Sequence, residues 1–300
     1  MTQLLKRIRN GVAQFVAWLV FKLPFLEPTF ISLGKSFGHG PAMESFYREA
    51  RLRFCDYLKW NGKDVRTLAF GSVEPRFSVL LFTTHDYYFR GLPYEADTTQ
   101  LILERLTPGS IFIDIGGNHG FFATIAGLRV KPAGRVYSFE PNPAVYAQME
   151  KNIELNDLGN IVQPQRIALS NTDGGSVKLF VSQDRYNTGL SSIILHSEKV
   201  EGGQLAESEY VEAPCRTFDS WSAEKKLGRI ALMKIDVEGA EELVLGGMGR
   251  TLRENPPGAI ILETTETSDA YKLLVNSGYS ARHLDRAGDA WSNYLFVRKG

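Results

Sequence analysis

Ile111-Phe112-Ile113-Asp114-Ile115-Gly116-Gly117-Asn118-His119-Gly120 passes from a run of β-formers into three glycines, and an apolar, helix-like segment follows over residues 121–130. The order predicts a strand, a glycine turn and a helix, the unit that lets a nucleotide-containing ligand lie against bare backbone. Asp114 stands two residues before the first glycine. Its carboxylate would oppose a pyrophosphate wrapped by the turn. A ligand with a cationic amino-acid end and no phosphate tolerates or uses it.

A second acid narrows the ligand. Arg135-Val136-Tyr137-Ser138-Phe139 reads as the next strand, and Glu140 closes it roughly 25 residues beyond the glycine turn, where an acid is the usual partner of ribose hydroxyls. Its two oxygens can accept from the 2′ and 3′ hydroxyls together. S-adenosylmethionine joins a ribose to a cationic amino-acid end without phosphate, and it is the cofactor these two acids predict. Asn142 and Pro143 then suit the N-cap and first position of a helix. A generic strand–helix turn followed by a surface glutamate is the plainer alternative.

A chain of 300 residues suits one large α/β domain with an extension, or two small domains. Hydrophobic residues at 43% allow a sizeable core, and 23% charge is ordinary for a soluble protein. A formal net charge of zero argues against a nucleic-acid partner, which calls for a basic excess. Cys55 and Cys215 show no metal-ligand or redox spacing and read as reduced thiols. Histidines 39, 85, 119, 196 and 283 are scattered, without the paired helical spacing of zinc enzymes.

Near the N-terminus, Lys6, Arg7 and Arg9 precede an apolar stretch over residues 12–21, interrupted by Gln14 and ended by Lys22 and Pro24. It falls short of the ~20 apolar residues of a membrane span. No small-x-small cleavage site follows it, as a secretory leader would require. Export would also part the chain from cytosolic cofactor, so a cytoplasmic location is expected. Leu4, Leu5, Ile8, Val12, Phe15, Val16 and Leu19 recur at helical spacing, which fits an amphipathic helix in peripheral contact with a membrane. A helix packed on this protein or on a partner is the plainer reading and the one favoured.

Residues 1–70 read as a helical extension and 71–300 as an α/β domain. Strands are expected over 77–83, 111–115, 135–139, 162–169, 177–181, 209–214, 230–235, 259–262 and 293–298. Helices are expected over 45–60, 98–106, 121–130, 144–155, 240–245 and 270–276. The alternation after Glu140 is that of a doubly wound sheet. Such sheets bind ligands beyond the carboxyl ends of their strands. Asp114, Glu140, Asp236 and Glu263 all fall at such ends.

Leu232-Met233-Lys234-Ile235-Asp236-Val237-Glu238-Gly239-Ala240-Glu241 is the second informative block. If its strand neighbours the glycine-turn strand, Asp236 lies near the cofactor's reactive sulfur. Asp236 and Glu238 are then candidates for a base, or for orienting an acceptor hydroxyl. Lys234 shares a strand face with Asp236 and could pair with it. Alternatively Asp236 only caps the following helix while Glu238 and Glu241 are solvated. Asp236 and Glu263 could hold a divalent metal, but the same pair orients sugar hydroxyls without one, and no metal ligands are assigned. His119 reads as turn packing before chemistry. The clusters 85–95 and 185–193 offer aromatic faces, hydroxyls and amides to a polar acceptor, or simply cover the sheet.

Taken together, these motifs resemble the FkbM family of class I S-adenosylmethionine-dependent methyltransferases over residues 80–298. The likeness rests on Tyr94-Glu95, the Phe112–Gly120 glycine turn, Phe139-Glu140-Pro141-Asn142-Pro143 and Ala168-Leu169-Ser170. It continues through Ser191-Ser192, Cys215-Arg216-Thr217-Phe218-Asp219, the Lys234-to-Glu241 block and Gly278-Tyr279. It implies a Rossmann-like, seven-stranded mixed sheet and O-methyl transfer to small molecules or carbohydrates. Asp114, Gly116, Asn118 and Glu140 would line the cofactor, with Ala168 near the adenine. Two departures stand out. Gly117 replaces the family's common alanine, which should only loosen the turn. Gln165-Arg166-Ile167 supplies no acid for the adenine amino group, leaving recognition to backbone.

Two other classes stay in view. A nicotinamide oxidoreductase is opposed by Asp114 and by the lack of a Tyr-x-x-x-Lys pair. A catalytically silent scaffold would have no need to keep Asp114, Glu140 and Asp236 together.

Overall fold

A computed structural model describes residues 3–36, 41–78, 95–180, 210–284 and 292–299. The chain forms two compact units, residues 1–68 with 76–96 and residues 69–75 with 97–300.

In the first unit, α1 (Gln3–Lys22), a 3-10 turn (Pro24–Leu26), α2 (Glu27–Ser36) and α3 (Pro41–Trp60) precede β1 (Val65–Thr67) and β2 (Arg76–Ser78), which pair antiparallel. Ala13 and Ala17 of α1 are fully buried and the helix packs along α3. Phe30 of α2 packs on Tyr47 and Phe54 of α3, and the Tyr47 hydroxyl donates to the Phe30 carbonyl at 2.9 Å. Cys55 and Cys215 are both free and buried. Of the strand expected over 77–83, the described part is β2; residues 79–94 and 181–209, with both polar clusters, lie outside the described residues apart from Glu95.

The second unit begins with α4 (Ala96–Arg105) and alternates helix and strand as far as β5. Its elements continue as β3 (Ile111–Ile115), α5 (Phe121–Val130), β4 (Arg135–Phe139), α6 (Pro143–Leu155) and β5 (Val162–Gln165). After β6 (Ala168–Leu169), β7 (Ser176–Phe180) and β8 (Tyr210–Arg216) come α7 (Phe218–Lys225), β9 (Ile230–Ile235), α8 (Glu241–Gly246) and α9 (Gly249–Glu254). The chain closes with β10 (Ala259–Thr264), α10 (Asp269–Asn276), β11 (Tyr279–His283) and β12 (Ser292–Arg298). Seven strands order as β11-β12-β10-β9-β3-β4-β5, parallel except for β12, which runs antiparallel to both its neighbours. That is the seven-stranded mixed, doubly wound sheet which the resemblance implies.

Strands β3, β9 and β10 are buried nearly end to end, as parallel strands covered on both faces must be. Ile113, Ile115, Phe139, Met233, Ile235, Ile260 and Leu262 belong to one core, closed by Trp221, whose ring lies 4.7 Å from that of Phe139. The chain leaves β3 toward β4 and β5 on one side, and returns as β9 on the other. The crevice at that reversal is where such sheets take ligands.

One expected strand divides. Residues 162–169 do not run through: β5 ends at Gln165, and Ala168 and Leu169 pair with Cys215 and Arg216 in a separate three-stranded sheet, β6-β8-β7. Pro164 offers no ladder N–H, which a strand tolerates only at an edge, and β5 is that edge.

Candidate active site

Strand β3 sets Asp114 in register with Ser138 of β4 and Lys234 of β9. The Ser138 hydroxyl donates to Asp114 Oδ2 at 2.9 Å, with both side chains buried. The turn follows, with Gly116 and Gly117 both donating to the Phe139 carbonyl at 3.0 and 2.9 Å. Glu140 then clamps it. Oε2 accepts from the Asn118 N–H at 3.0 Å, and Oε1 from the Asn142 N–H at 2.8 Å. Burial pushes the Glu140 carboxyl up to about 7, against the pull of those two bonds, and the charge of Asp114 adds to the rise. Each oxygen retains acceptor capacity, and further hydroxyl donors would favour its charged form. Asn118 sits at φ 48°, and among the described residues its buried Oδ1 has no hydrogen-bond partner.

The glycines are there for want of room. Gly116 has φ +83°, and a Cβ on it would fall 1.8 Å from the Asp236 carbonyl oxygen. Gly117 corrects the expectation of a loosened turn. A Cβ there would meet Ser138 Oγ at 1.9 Å, Met149 Cε at 2.8 Å and Asp114 Oδ2 at 3.1 Å. The Ser138 hydroxyl fills the space that an alanine methyl would need, so this turn is packed rather than slack.

Beside it, β9 neighbours β3 directly and carries Asp236 to the same edge, its N–H donating to the Ile115 carbonyl at 3.0 Å. Lys234, almost wholly buried, reaches back along the strand face to Asp236 Oδ2 at 2.7 Å, with its ammonium 4.8 Å from the centre of the Phe122 ring. Ala240, rather than Asp236, holds the N-cap of α8. Glu241, read as solvated in the capping alternative, is buried, and its Oε1 accepts from the Val237 and Gly239 N–H groups at 3.2 and 3.1 Å. That carboxylate shapes the turn that presents Asp236 and Glu238. Glu238 takes φ 54° within it.

From β10, Glu263 joins the group. Its carboxyl is pushed up to about 8 by burial first, then by the charge of Asp236 and a side-chain hydrogen bond with it, and by Glu238. Glu263 therefore holds its proton more tightly than a free carboxyl does, beside the Lys234–Asp236 ion pair. A carboxyl raised above its ordinary value of 4.5 binds its proton more tightly folded than unfolded. Its contribution to stability is therefore full at low pH and lost as pH rises through about 8. Glu263→Gln should gain stability relative to the parent over that climb, measured by urea unfolding at a series of pH values. A pH-independent difference would rule out the tightly held proton.

Asp114, Gly116, Asn118, Glu140, Asp236 and Glu238 thus come together at the reversal. Ala168 is buried in β6, three residues beyond Gln165, whose side chain accepts from Trp221 Nε1 at 3.1 Å. His119 is buried in the turn, and its carbonyl accepts from Asn152 Nδ2 at 2.8 Å. Among the described residues, no group of three or more His, Cys, Asp and Glu side chains could hold a metal ion. Sequence reading passed over Ser138 and misplaced Glu241 among solvated acids. The first had a signal: it is a hydroxyl in an apolar strand, two positions before Glu140 and so on the same face.

A model of the methyltransferase FkbM domain matches residues 114–284, more than half of the chain. The chain is 29% identical over 147 residues to Methyltransferase 1 of Beauveria bassiana (strain ARSEF 2860), which covers 46% of this chain and 58% of that protein. It is 27% identical over 161 residues to the 31-O-demethyl-FK506 methyltransferase FkbM of Streptomyces tacrolimicus, covering 48% of this chain and 61% of that one. The crystal structure of methyltransferase FkbM from Methylobacillus flagellatus KT is similar at 14% identity and a TM-score of 0.43, over 91% of this chain and 58% of that one. The chain spans less than two thirds of the length of each of these relatives.

Proposed function

Since the chain belongs to the methyltransferase FkbM domain family, we propose that it is an S-adenosylmethionine-dependent O-methyltransferase acting on a hydroxyl of a small molecule or glycan. The observation that carries this reading is the meeting of Asp114, Glu140 and Asp236 at the ends of three adjacent strands, around a turn whose glycines cannot be replaced without clash. The residues suit the cofactor. Glu140 has acceptor capacity for ribose hydroxyls, and the buried Asn118 Oδ1 is an acceptor suited to a ligand donor. When bound, S-adenosylmethionine supplies an electrophilic methyl group on a sulfonium.

What the chain must add is a positioned and deprotonated hydroxyl. Positioning alone can supply ~7–11 kcal/mol in the best cases. Methyl transfer to a neutral hydroxyl releases one proton, and Asp236, ionised beside Lys234, takes it at its carboxylate. Glu263, protonated, donates to Asp236 and keeps that carboxylate oriented, while Glu238 offers a second carboxylate to acceptor hydroxyls. The O-methyl transfer named for the Streptomyces relative supports an oxygen acceptor. Two free, buried thiols and a cytosolic cofactor support a cytoplasmic enzyme, and the balanced charge supports an acceptor other than nucleic acid.

Glu140→Ala is expected to weaken S-adenosylmethionine binding by about 1.5–3 kcal/mol, the worth of hydrogen bonds to a charged group. Calorimetric titration, with NADH as control, measures it. Equal affinity in the variant would take Glu140 out of the site, and binding without methyl transfer to any sugar or metabolite hydroxyl would favour a silent scaffold.

A further inference from the structure

We propose that α1 docks the protein onto an anionic lipid surface, lying flat in the headgroup region on its large apolar face. The helix has two apolar sides, and the wrong one is buried. Against α3 it places the small residues Ala13 and Ala17, with Val20. The large residues Leu5, Ile8, Val12, Phe15 and Trp18 recur every three or four positions along another side, each between 43% and 59% exposed. Phe15 and Trp18 stack on one another there, with ring centres 6.1 Å apart. Leu23 and Phe25 extend the exposed apolar surface past the end of the helix, Phe25 at 72%. A helix settled only on its own unit would bury the large side chains and expose the alanines, because burial is worth most where the apolar area is greatest.

Charge selects the occupant. Residues 1–26 contain Lys6, Arg7, Arg9 and Lys22 and no acid, while the rest of the chain carries four more acids than bases. Arg7 and Lys22 are exposed, and Arg9 donates to Ser45 of α3 at 2.7 Å. Two copies of so basic a helix repel one another, which disfavours a second copy of this chain on the face. Anionic headgroups satisfy the basic residues while acyl chains take the aromatic and aliphatic ones, the division found in interfacial helices. No single helix among the described residues is long and apolar enough to cross a membrane. The apolar composition continues into Pro24–Leu33 only through a bend of 112°. A helix of this kind lies in the interface.

Docking through α1 is independent of methyl transfer and is measured without reading activity. The purified full chain is floated with vesicles of phosphatidylcholine alone, and with vesicles that also contain phosphatidylglycerol. It should float with the anionic vesicles only, and salt should weaken the association. Val12→Glu with Phe15→Glu should lower the bound fraction about tenfold. Both side chains are exposed, so the melting temperature should hold. The idea fails if the parent does not float, if it floats equally with neutral vesicles, or if the double substitution leaves binding unchanged. It fails too if the substitutions instead dissolve a dimer seen by sedimentation, which would assign the face to a second copy.

Discussion

Asp236→Asn should lower turnover by about 10²–10⁴, the usual worth of a general base, while the affinity for S-adenosylmethionine stays within error. The amide keeps the shape of the carboxylate but cannot take the proton released by the acceptor hydroxyl. The risk in such a variant is Lys234, almost wholly buried and 2.7 Å from the carboxylate that would be lost. Breaking a buried ion pair by removing one partner typically costs about 3–5 kcal/mol. Here Glu263 supplies a remedy. It is held protonated partly by the charge of Asp236, and once that charge is gone it can ionise and face Lys234 in its place. The variant should therefore fold, with Glu263 titrating lower than in the parent. Single-turnover rates and calorimetric affinities, measured on the same preparation, separate the two effects. Full activity would exclude Asp236 as base and leave Glu238 as the candidate.

Much of this arrangement is legible in the sequence because its signals are local. Residues 111–115, 135–139 and 230–235 are strands as read, each a run of β-formers stopped by glycine, by Glu140 and proline, or by Asp236. Asn142 caps α6 through bonds from the Ala144 and Val145 N–H groups, with Pro143 in the first turn, as the dipeptide foretells. What escaped depends on partners distant in sequence. β11, Tyr-Ser-Ala-Arg-His, has too little hydrophobic alternation to mark it, and its place is set by pairing with β12. α9 owes its start to Asp219, far upstream, which accepts from the N–H groups of Arg250 and Thr251 at 2.7 and 2.8 Å. The break before Ala168 reflects the pull of β8, which no local pattern announces. Helical spacing in α1 was plain, but not which side would be covered: the helix buries its alanines and leaves its large residues out. Gly117 belongs to the same class, since its meaning lies in Ser138, one strand away.

Gly116→Ala and Gly117→Ala should both destabilise the protein, and only the second should be curable. At Gly116 two costs add. The positive φ alone costs a residue with a side chain about 1–3 kcal/mol. The added methyl also falls 1.8 Å from the Asp236 carbonyl, which is backbone, so relief means prising β3 from β9 and moving Asp236 with it. A loss above ~3 kcal/mol is expected, with cofactor binding abolished. At Gly117 the φ is not in the left-handed region, and the nearest obstacles are the Ser138 hydroxyl and the tip of Met149. Overpacking of that kind costs about 1–3 kcal/mol, part of it through rotation of Ser138 away from Asp114. Adding Ser138→Ala should then restore most of the stability, whereas Ser138→Ala alone should cost stability by breaking the bond to Asp114. Opposite signs for one substitution in two backgrounds define a coupled pair, for which interaction energies of about 0.5–3 kcal/mol are usual. The same Ser138→Ala change should do nothing for Gly116→Ala, because no side chain of β4 obstructs that position. Urea unfolding of the four Gly117/Ser138 combinations, with the Gly116 variants beside them, decides it: additive losses at Gly117 and Ser138 would mean that the hydroxyl does not occupy the methyl's space.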